Sequence, residues 1–295
     1  FCFFHDLLRI INYYKSNMAT ADNFNASIAD KIDLSKGKLP FKGRGLSGSI
    51  DINSKSIDEQ RRYGVEHLAA AYRIFSQKGF DLGLVGHISF RDPEFKDCFW
   101  INPLGYHFSQ MRVSDLCLMN QNGDLVYGRE RTGDAAQSIH SNIYKNRDDI
   151  NAIAHAHPMY GKTFSTLGKE LKPLTQDSCA FFERTATFTD YDGVANGPDE
   201  GINISKALAD KDFLILQNHG ILTTGTMVDT ALWYFINMEE ACQSQLIAES
   251  VGEPMEISAE VARHTRDYVA NDLSAFASMQ PLLDVLWEED SDFLD

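Results

Sequence analysis

An unbroken apolar run, Phe-Leu-Ile-Leu at Phe213–Leu216, restricts the possible folds of this protein more strongly than any other feature of its sequence. Such a run is typical of a β-strand buried on both faces, and a strand of that kind needs a layer of structure on each side. Residues 150–157 alternate like a second strand, whereas residues 135–145 and 228–249 carry helical patterns. Strand and helix patterns alternate along the chain, so we expect one α/β domain with helices covering a central sheet.

The domain is predicted to occupy residues 56–275. Ser56 and Glu59 are spaced as a capping box, which marks the start of the first helix of the domain. Beyond the domain, the pattern weakens and the chain closes on the acidic sequence WEEDSDFLD. We therefore expect residues 276–295 to form an acidic tail.

Residues 1–55 are expected to form a mobile leader. Much of this segment is rich in Ser, Asn, Lys, Gly and Asp, and it lacks a sustained helical or strand period. Residues 1–17 are expected to be upstream translation or a fragment scar, because Met18 stands before Ala-Thr-Ala.

The net charge of the chain argues against several classes of partner. Forty-two acidic residues against 27 basic ones give −15 at pH 7, and a surface that negative repels nucleic-acid phosphates and anionic lipid headgroups. No apolar run is long enough to span a bilayer. The five cysteines are scattered without a C-x-x-C pair, as suits a reducing compartment. We therefore expect a cytoplasmic protein that binds neither nucleic acid nor membranes.

Three of the nine histidines are candidates for a metal site. His155 and His157 lie one pleat apart on a predicted strand, so their side chains point the same way. His219 follows the buried run, at a turn where Gly220 lets the backbone bend sharply. Three neutral nitrogen donors with an open position are typical of a catalytic divalent metal. The alternative is an exposed strand pair and a hydrogen-bonded turn residue.

Four longer stretches carry a family resemblance. IAHAHPMYGKTFSTLG is followed, after an intervening segment, by DFLILQNHGILTTGTMVDTALWYFINMEEACQ. These two resemble the class II aldolase/adducin family, and GFDLGLVGHISFRDP and FWINPLGYHFSQMRVSDL are similar to its amino-terminal half. The resemblance implies a three-layer α/β/α fold with a central mixed, largely antiparallel sheet.

The resemblance also implies a cofactor and an assembly. In enzymes of this family, the H-x-H pair and the His of the late H-G turn bind zinc or another divalent cation. These ligands correspond to His155, His157 and His219, with zinc expected and iron or manganese as alternatives. Adducin-like members that have abandoned catalysis typically lose such ligands, so their retention favours a working site. Family members are commonly tetramers, which implies a homotetramer acting on a small-molecule substrate.

The sequence departs from the family at its catalytic carboxylate. The position of that carboxylate falls on Ala136, which can neither bind metal nor accept a proton. Gln137 beside it is no base near neutral pH; it either orients a water or a substrate oxygen, or is an exposed helix residue. Asp134 is expected to cap the helix. His140 lies four residues after Ala136, on the same helical face, and is either a proton carrier or a hydrogen-bonded core residue.

The family's phosphate-binding hydroxyls are absent as well. Its G-T-x-G-N loop reads Gly-Leu-Val-Gly-His at residues 83–87, and its later Thr-Gly pair reads Leu-Gly at 104–105. A phosphate dianion needs several donors to replace water, so we expect a substrate other than a simple sugar phosphate. Gly86, His87 and Gly105 are the predicted substrate contacts. His87 either meets a carboxylate, as suits a carboxylated or aromatic substrate, or packs on its neighbours.

Three functions compete. The first is a metal-dependent lyase, of aldolase or decarboxylase type, that stabilises an enolate on a small hydroxy or oxo substrate. Decarboxylation tolerates Ala136 better than aldol cleavage, because it removes no C–H proton. The second keeps the three histidines but makes the metal a non-haem iron for oxygen chemistry. The third is a non-catalytic, adducin-like scaffold that binds the actin cytoskeleton; adducins use a long basic tail for that work, whereas this chain ends in acidic residues.

Overall fold

An eight-stranded sheet forms the centre of the part of the chain described by the computed structural model, which comprises residues 23–38, 52–191, 193 and 198–295. The strands, in chain order, are β1 (His87–Arg91), β2 (Cys98–Ile101), β3 (Cys117–Asn120), β4 (Leu125–Tyr127), β5 (Ala152–Ala156), β6 (Thr185–Phe188), β7 (Phe213–Leu216) and β8 (Gly220–Gly225). Their order in the sheet is β4-β3-β2-β1-β5-β8-β7-β6. Neighbouring strands are antiparallel, except that β6 and β7 are parallel. The expectation of a mixed, largely antiparallel sheet is confirmed.

Helices cover both faces of this sheet. Within the described residues they are α1 (Asn23–Ala29), α2 (Ile57–Gln77), α3 (Asp134–Asn146), α4 (Met159–Ser165), α5 (Pro198–Leu208), α6 (Val228–Val251), α7 (Ala259–Val269) and α8 (Asp272–Glu289). The apolar faces of α2, α6 and α8 form one core with the sheet, and those of α3 and α5 form a second core on the opposite face. The three-layer α/β/α architecture is therefore confirmed.

The apolar run on β7 lies between these two cores. Phe213 and Ile215 belong to the core shared with α2 and α6, whereas Leu214 and Leu216 belong to the core shared with α3 and α5. All four side chains are buried. The prediction of a strand buried on both faces is thus confirmed, and the alternation of side chains along the strand is its cause.

The predicted capping box begins α2. The Ser56 Oγ accepts a hydrogen bond from the Glu59 backbone N–H at 3.3 Å, and a Glu59 carboxylate oxygen accepts one from the Ser56 N–H at 2.9 Å. These two bonds satisfy backbone donors that the first turn of a helix leaves without partners. The helix ends at Gln77.

The structure differs from the expected leader and tail. Of residues 1–55, the described stretch 23–38 includes α1 and places Ile28 and Ile32 in the main core; residues 1–17 lie outside the described residues. Most of residues 276–295 belong to α8 or to a short turn that buries Phe293. Burial of apolar side chains explains both differences, because each segment carries enough of them to dock on the domain.

None of the helices in the described ranges is long and apolar enough to cross a membrane.

Candidate metal centre

Three histidines converge where β5 ends and β8 begins. His155 lies in β5, His157 follows that strand, and His219 lies in the turn that leads from β7 to β8. One ring nitrogen from each lies within 4.8 Å of the others. His155 is buried, with 1% of its surface exposed, whereas His157 and His219 are half-buried. Pairing of β5 with β8 therefore brings together residues that are more than sixty positions apart in the chain.

The turn that carries His219 is tightly held. The His219 N–H donates to the Leu216 carbonyl at 3.0 Å, and Asn218 adopts a left-handed φ of 58°, which Asn tolerates better than most residues. A Cβ added at Gly220 would lie 2.6 Å from the Ala156 carbonyl oxygen. Gly220 is therefore required by the close approach of β5, and it fixes the backbone beside His219.

Gly220→Ala is expected to lower the free energy of unfolding by about 1–3 kcal/mol, the usual cost of overpacking. The added methyl group must displace backbone next to the histidines, so metal content should fall as well. Urea denaturation and elemental analysis measure the two effects. Gly252→Ala is the matched control, since its Cβ would meet open space; an equal loss in both variants would contradict the role assigned to Gly220.

All three histidines are held neutral near pH 7. Burial lowers the pKa of His155 well below its ordinary value, lowers that of His219 to about 4, and lowers that of His157 as well. A neutral imidazole offers one nitrogen lone pair to a cation. The Ile221 carbonyl accepts a hydrogen bond from His155 Nδ1 at 2.9 Å, which leaves His155 Nε2 free to act as ligand.

The donor set fits a divalent metal. The Nε2 atoms of His155 and His157 are 3.2 Å apart, close to the roughly 3.3 Å between two ligand nitrogens around a tetrahedral zinc ion with Zn–N bonds of about 2.0–2.1 Å. Three neutral imidazoles from one buried corner, without a fourth protein ligand in the group, match the ligand number of a catalytic rather than a structural site.

A second group of side chains lies behind the three histidines. His87, on β1, pairs with His155 across the sheet, and their ring centroids are 4.8 Å apart. His87 Nδ1 lies 2.6 Å from His140 Nε2, and His140 Nδ1 is hydrogen-bonded to the Ser89 Oγ. Ser89 Oγ in turn lies 2.7 Å from the Tyr144 hydroxyl. His140 is fully buried. His87 lies next to both His140 and His155, and so connects His140 to the candidate metal ligands.

Sequence reasoning missed Ser89 and Tyr144 as members of this group. Both had a signal: Ser89 lies two positions after His87, on the same face of β1, and Tyr144 lies four positions after His140, on the same face of α3. The ring centroid of Tyr191 lies 6.5 Å from that of His219, and this residue is 44% exposed. It presents an aromatic surface at the side of the site.

The hydrogen bond of the Gln137 side chain is made to β3 and not to the histidines. The Gln137 amide donates a hydrogen bond to the Asn120 carbonyl at 2.8 Å, at the end of β3, and its side chain is buried rather than exposed. Ala136 packs in the core between α3 and the sheet. Asp134 is the first residue of α3, and Gly133 occupies the cap position instead. The helix thus presents His140, and not Gln137, toward β1.

The two glycines predicted to contact substrate adopt left-handed conformations. Gly86, with a φ of 103°, precedes His87, and a Cβ there would lie 3.3 Å from the Ala156 Cβ and the Phe108 ring. It therefore lies beside the segment that carries His155 and His157. Gly105, with a φ of 91°, lies in the loop after β2 with open space around it. Their contacts with a substrate stay predictions.

Comparisons with known proteins identify the family of the chain. The model of the family described as "Class II Aldolase and Adducin N-terminal domain" matches residues 66–246. The chain is 39% identical over 236 residues to the Streptomyces niveus protein named "Decarboxylase NovR", covering 79% of this chain and 87% of that protein. It is also 39% identical over 226 residues to a Streptomyces roseochromogenus subsp. oscitans protein, covering 76% of this chain and 82% of the relative.

The name of that second relative is "4-hydroxy-3-prenylphenylpyruvate oxygenase/4-hydroxy-3-prenylbenzoate synthase". Among solved structures, the chain is similar to "L-fuculose 1-phosphate aldolase from Glaciozyma antarctica PI12", with 37% identity and a TM-score of 0.75. That likeness covers 89% of this chain and 99% of the other. Family match, sequence identity and fold all agree, and the chain belongs to the class II aldolase/adducin family.

Proposed function

We propose that this protein is a divalent-metal-dependent carbon–carbon lyase of the decarboxylase type, acting on a small hydroxy or oxo acid. Family membership and the decarboxylase-named relative support lyase activity in general. The observation that carries the proposal is the convergence of three neutral histidines. The position at which the family resemblance implies a carboxylate is Ala136, whose side chain is buried in the core.

The metal would be held by His155, His157 and His219, with zinc as the expected ion and iron or manganese as alternatives. A divalent cation bound there supplies Lewis-acid polarisation of a substrate oxygen. The three imidazoles are neutral, so such a site keeps the full charge of the cation and attracts an anionic substrate despite the negative surface of the protein.

Ala136 favours decarboxylation over aldol cleavage. When the carboxylate is beta to a carbonyl, loss of carbon dioxide leaves the electron pair of the broken bond as an enolate, whose oxygen a bound divalent cation would stabilise, and no C–H proton has to be removed. Aldol cleavage instead requires a base for the substrate hydroxyl. The methyl group of Ala136 provides none, and Gln137 is directed to the Asn120 carbonyl.

The substrate is proposed to carry a carboxylate rather than a phosphate ester. The similar structure named as a sugar-phosphate aldolase favours a phosphate, but the hydroxyl donors expected for a phosphate are replaced by apolar residues and Gly at 83–87 and 104–105. The exposed ring of Tyr191 beside His219 suits an aromatic substrate. The relative whose name includes a prenylated phenylpyruvate points to the same class.

A second candidate function is a non-haem iron oxygenase on the same fold. The oxygenase in the name of one relative supports it, and three histidine donors with open positions also suit iron. It differs from the first proposal in consuming oxygen, which makes the two separable by one assay.

The test begins with protein stripped of metal by a chelator and then loaded separately with Zn²⁺, Mn²⁺ or Fe²⁺. Carbon dioxide release and oxygen uptake are measured with oxaloacetate, a 3-oxo acid whose loss of carbon dioxide leaves an enolate. Oxygen uptake is also measured with 4-hydroxyphenylpyruvate as the oxygenase substrate, and aldehyde release with fuculose 1-phosphate. We expect metal-dependent release of carbon dioxide without oxygen uptake. Oxygen uptake with Fe²⁺ alone would favour the oxygenase, and cleavage of only the sugar phosphate would contradict the proposed substrate class.

Assembly and location follow the family. We propose a cytoplasmic homotetramer with the site near a subunit boundary; size-exclusion chromatography with light scattering tests the assembly, and a strict monomer would contradict a shared site. Cosedimentation with actin filaments, together with unchanged metal content in His155→Ala, would instead support the scaffold function.

A further inference from the structure

A continuous series of hydrogen bonds between buried side chains leads from Tyr144 to His87, beside the candidate metal centre. Its links are Tyr144 Oη to Ser89 Oγ at 2.7 Å, Ser89 Oγ to His140 Nδ1, and His140 Nε2 to His87 Nδ1 at 2.6 Å. Two of the four residues lie on α3 and two on β1. In each of these hydrogen bonds either atom can be the donor. The direction of one bond determines that of the next, so the series as a whole has two consistent arrangements of its protons.

The distances at the Tyr144 end select one direction. The Tyr144 hydroxyl lies 2.7 Å from Ser89 Oγ but 3.4 Å from the Asn151 carbonyl, and O–H···O hydrogen bonds span about 2.5–3.0 Å. Tyr144 therefore donates to Ser89.

The charge beside Tyr144 favours the same direction. The Arg91 guanidinium lies 4.5 Å from the centre of the Tyr144 ring. A positive charge near a phenol makes its hydroxyl a better hydrogen-bond donor and a poorer acceptor. Distance and charge therefore agree on Tyr144 as the donor.

The remaining protons follow from that first link. Ser89 accepts from Tyr144, so its single hydrogen goes to His140 Nδ1. Burial lowers the pKa of His140 to about 3, so the ring is neutral and carries its proton on Nε2. That N–H donates to His87 Nδ1; an accepting ring nitrogen carries no proton, so the single ring proton of His87 is on Nε2.

We infer that Tyr144, Ser89 and His140 hold His87 in its neutral form with the ring proton on Nε2. This N–H lies beside the candidate metal centre and donates a hydrogen bond to a carboxylate oxygen of the substrate. The inference rests on the proposed function for the identity of that oxygen. His87 is the residue that touches substrate, whereas Tyr144, Ser89 and His140 are positioning residues that set its tautomer.

The surroundings of His87 support this role. Its ring lies 4.8 Å from that of His155, and 8% of its surface is exposed. The group of described residues able to share one cation contains His155, His157 and His219 but not His87. A protonated nitrogen cannot ligate a cation, and a fixed N–H in a buried corner is well suited to an oxygen anion.

The tautomer is measured directly by NMR on metal-free protein with ¹⁵N-labelled histidine rings. Resonances are assigned with His87→Gln and His140→Gln. We expect Nε2 protonated and Nδ1 unprotonated in both His87 and His140. The opposite tautomer at His87 would overturn the inference, whatever the outcome for lyase activity, because this measurement needs neither metal nor substrate.

The ligand class is tested by calorimetric titration of zinc-loaded protein with oxalate. His87→Phe should weaken oxalate binding about 10-fold or more, as expected for loss of a hydrogen bond to a charged group, whereas His87→Gln keeps an amide donor and should bind more tightly than the Phe variant. Equal affinity in wild type and His87→Phe would contradict the carboxylate contact. If the wild type binds no oxalate but NMR finds the expected tautomer of His87, the proposed function is contradicted, whereas the assigned direction of the hydrogen bonds is supported.

Tyr144→Phe separates positioning from simple stability. It removes the hydroxyl that sets the direction, so both tautomers of His87 should appear in the NMR spectrum and oxalate binding should weaken several-fold. Tyr234→Phe is the control, because Tyr234 is also a buried tyrosine but lies on α6 and takes no part in this series of hydrogen bonds. A single unchanged tautomer in Tyr144→Phe would contradict the positioning role.

Discussion

His155→Ala is expected to abolish stable metal binding, with a loss of more than about 100-fold in affinity, and to remove the lyase activity with it. Residues that only hydrogen-bond to a metal ligand already change metal affinity by about 10–100-fold, and His155 is itself the most deeply buried of the three candidate ligands. Its loss leaves His157 and His219, two half-buried donors that are too few for a catalytic zinc site. Equilibrium dialysis with Zn²⁺ measures the affinity.

The control for this variant is His264→Ala, which changes an exposed histidine on α7. We expect that protein to bind Zn²⁺ like wild type. Circular dichroism of both variants should be unchanged, since removal of a ligand differs from loss of the fold. Full metal affinity in His155→Ala would show that the ion binds elsewhere.

Asp92→Ala is expected to destabilise the fold by about 3–5 kcal/mol, the effect of breaking a buried ion pair by removing one partner. The Asp92 side chain is completely buried and accepts hydrogen bonds from Arg61 Nε at 2.8 Å, Arg61 Nη2 at 3.1 Å and Trp100 Nε1 at 2.9 Å. It also accepts two backbone N–H groups of the following turn. Without the carboxylate, the Trp100 ring N–H, the Arg61 Nε–H and the two backbone groups lose their buried acceptor. The Arg61 charge keeps only Glu94 and Asp58, whose side chains are 41% and 46% exposed.

Urea denaturation gives the free energy of unfolding for that variant. The matched control is Asp149→Ala, because Asp149 pairs with Arg147 but has a side chain that is 66% exposed. Surface ion pairs contribute about 0–1 kcal/mol, so the control should change little. Equal losses in the two variants would contradict the importance assigned to the buried network.

The sequence was informative where one period or one short motif determines a position. The H-x-H spacing places His155 and His157 on one face of a strand, and the unbroken apolar run identifies β7 as a strand between two layers. The family resemblance then supplied the strand directions. The structure brings His219 to the other two histidines because β8 returns antiparallel beside β5.

The parts that could not be predicted depend on contacts between distant elements. The rotation of α3 against the sheet decides that His140 meets His87 while Gln137 meets the Asn120 carbonyl, and no local pattern encodes that rotation. The helix α8 was not predicted, because Pro281 lies in its interior and proline usually interrupts a helix. Its buried residues Met279, Leu283 and Leu286 hold it on the domain.

The central claim is that the three converging histidines hold a divalent cation. Elemental analysis by mass spectrometry of protein purified without added metal tests this claim directly, with His155→Ala purified in parallel. We expect about one zinc, iron or manganese ion per chain in wild type and almost none in the variant. Wild-type protein that contains no such ion, and takes up none on incubation with Zn²⁺, Mn²⁺ or Fe²⁺, would contradict the claim.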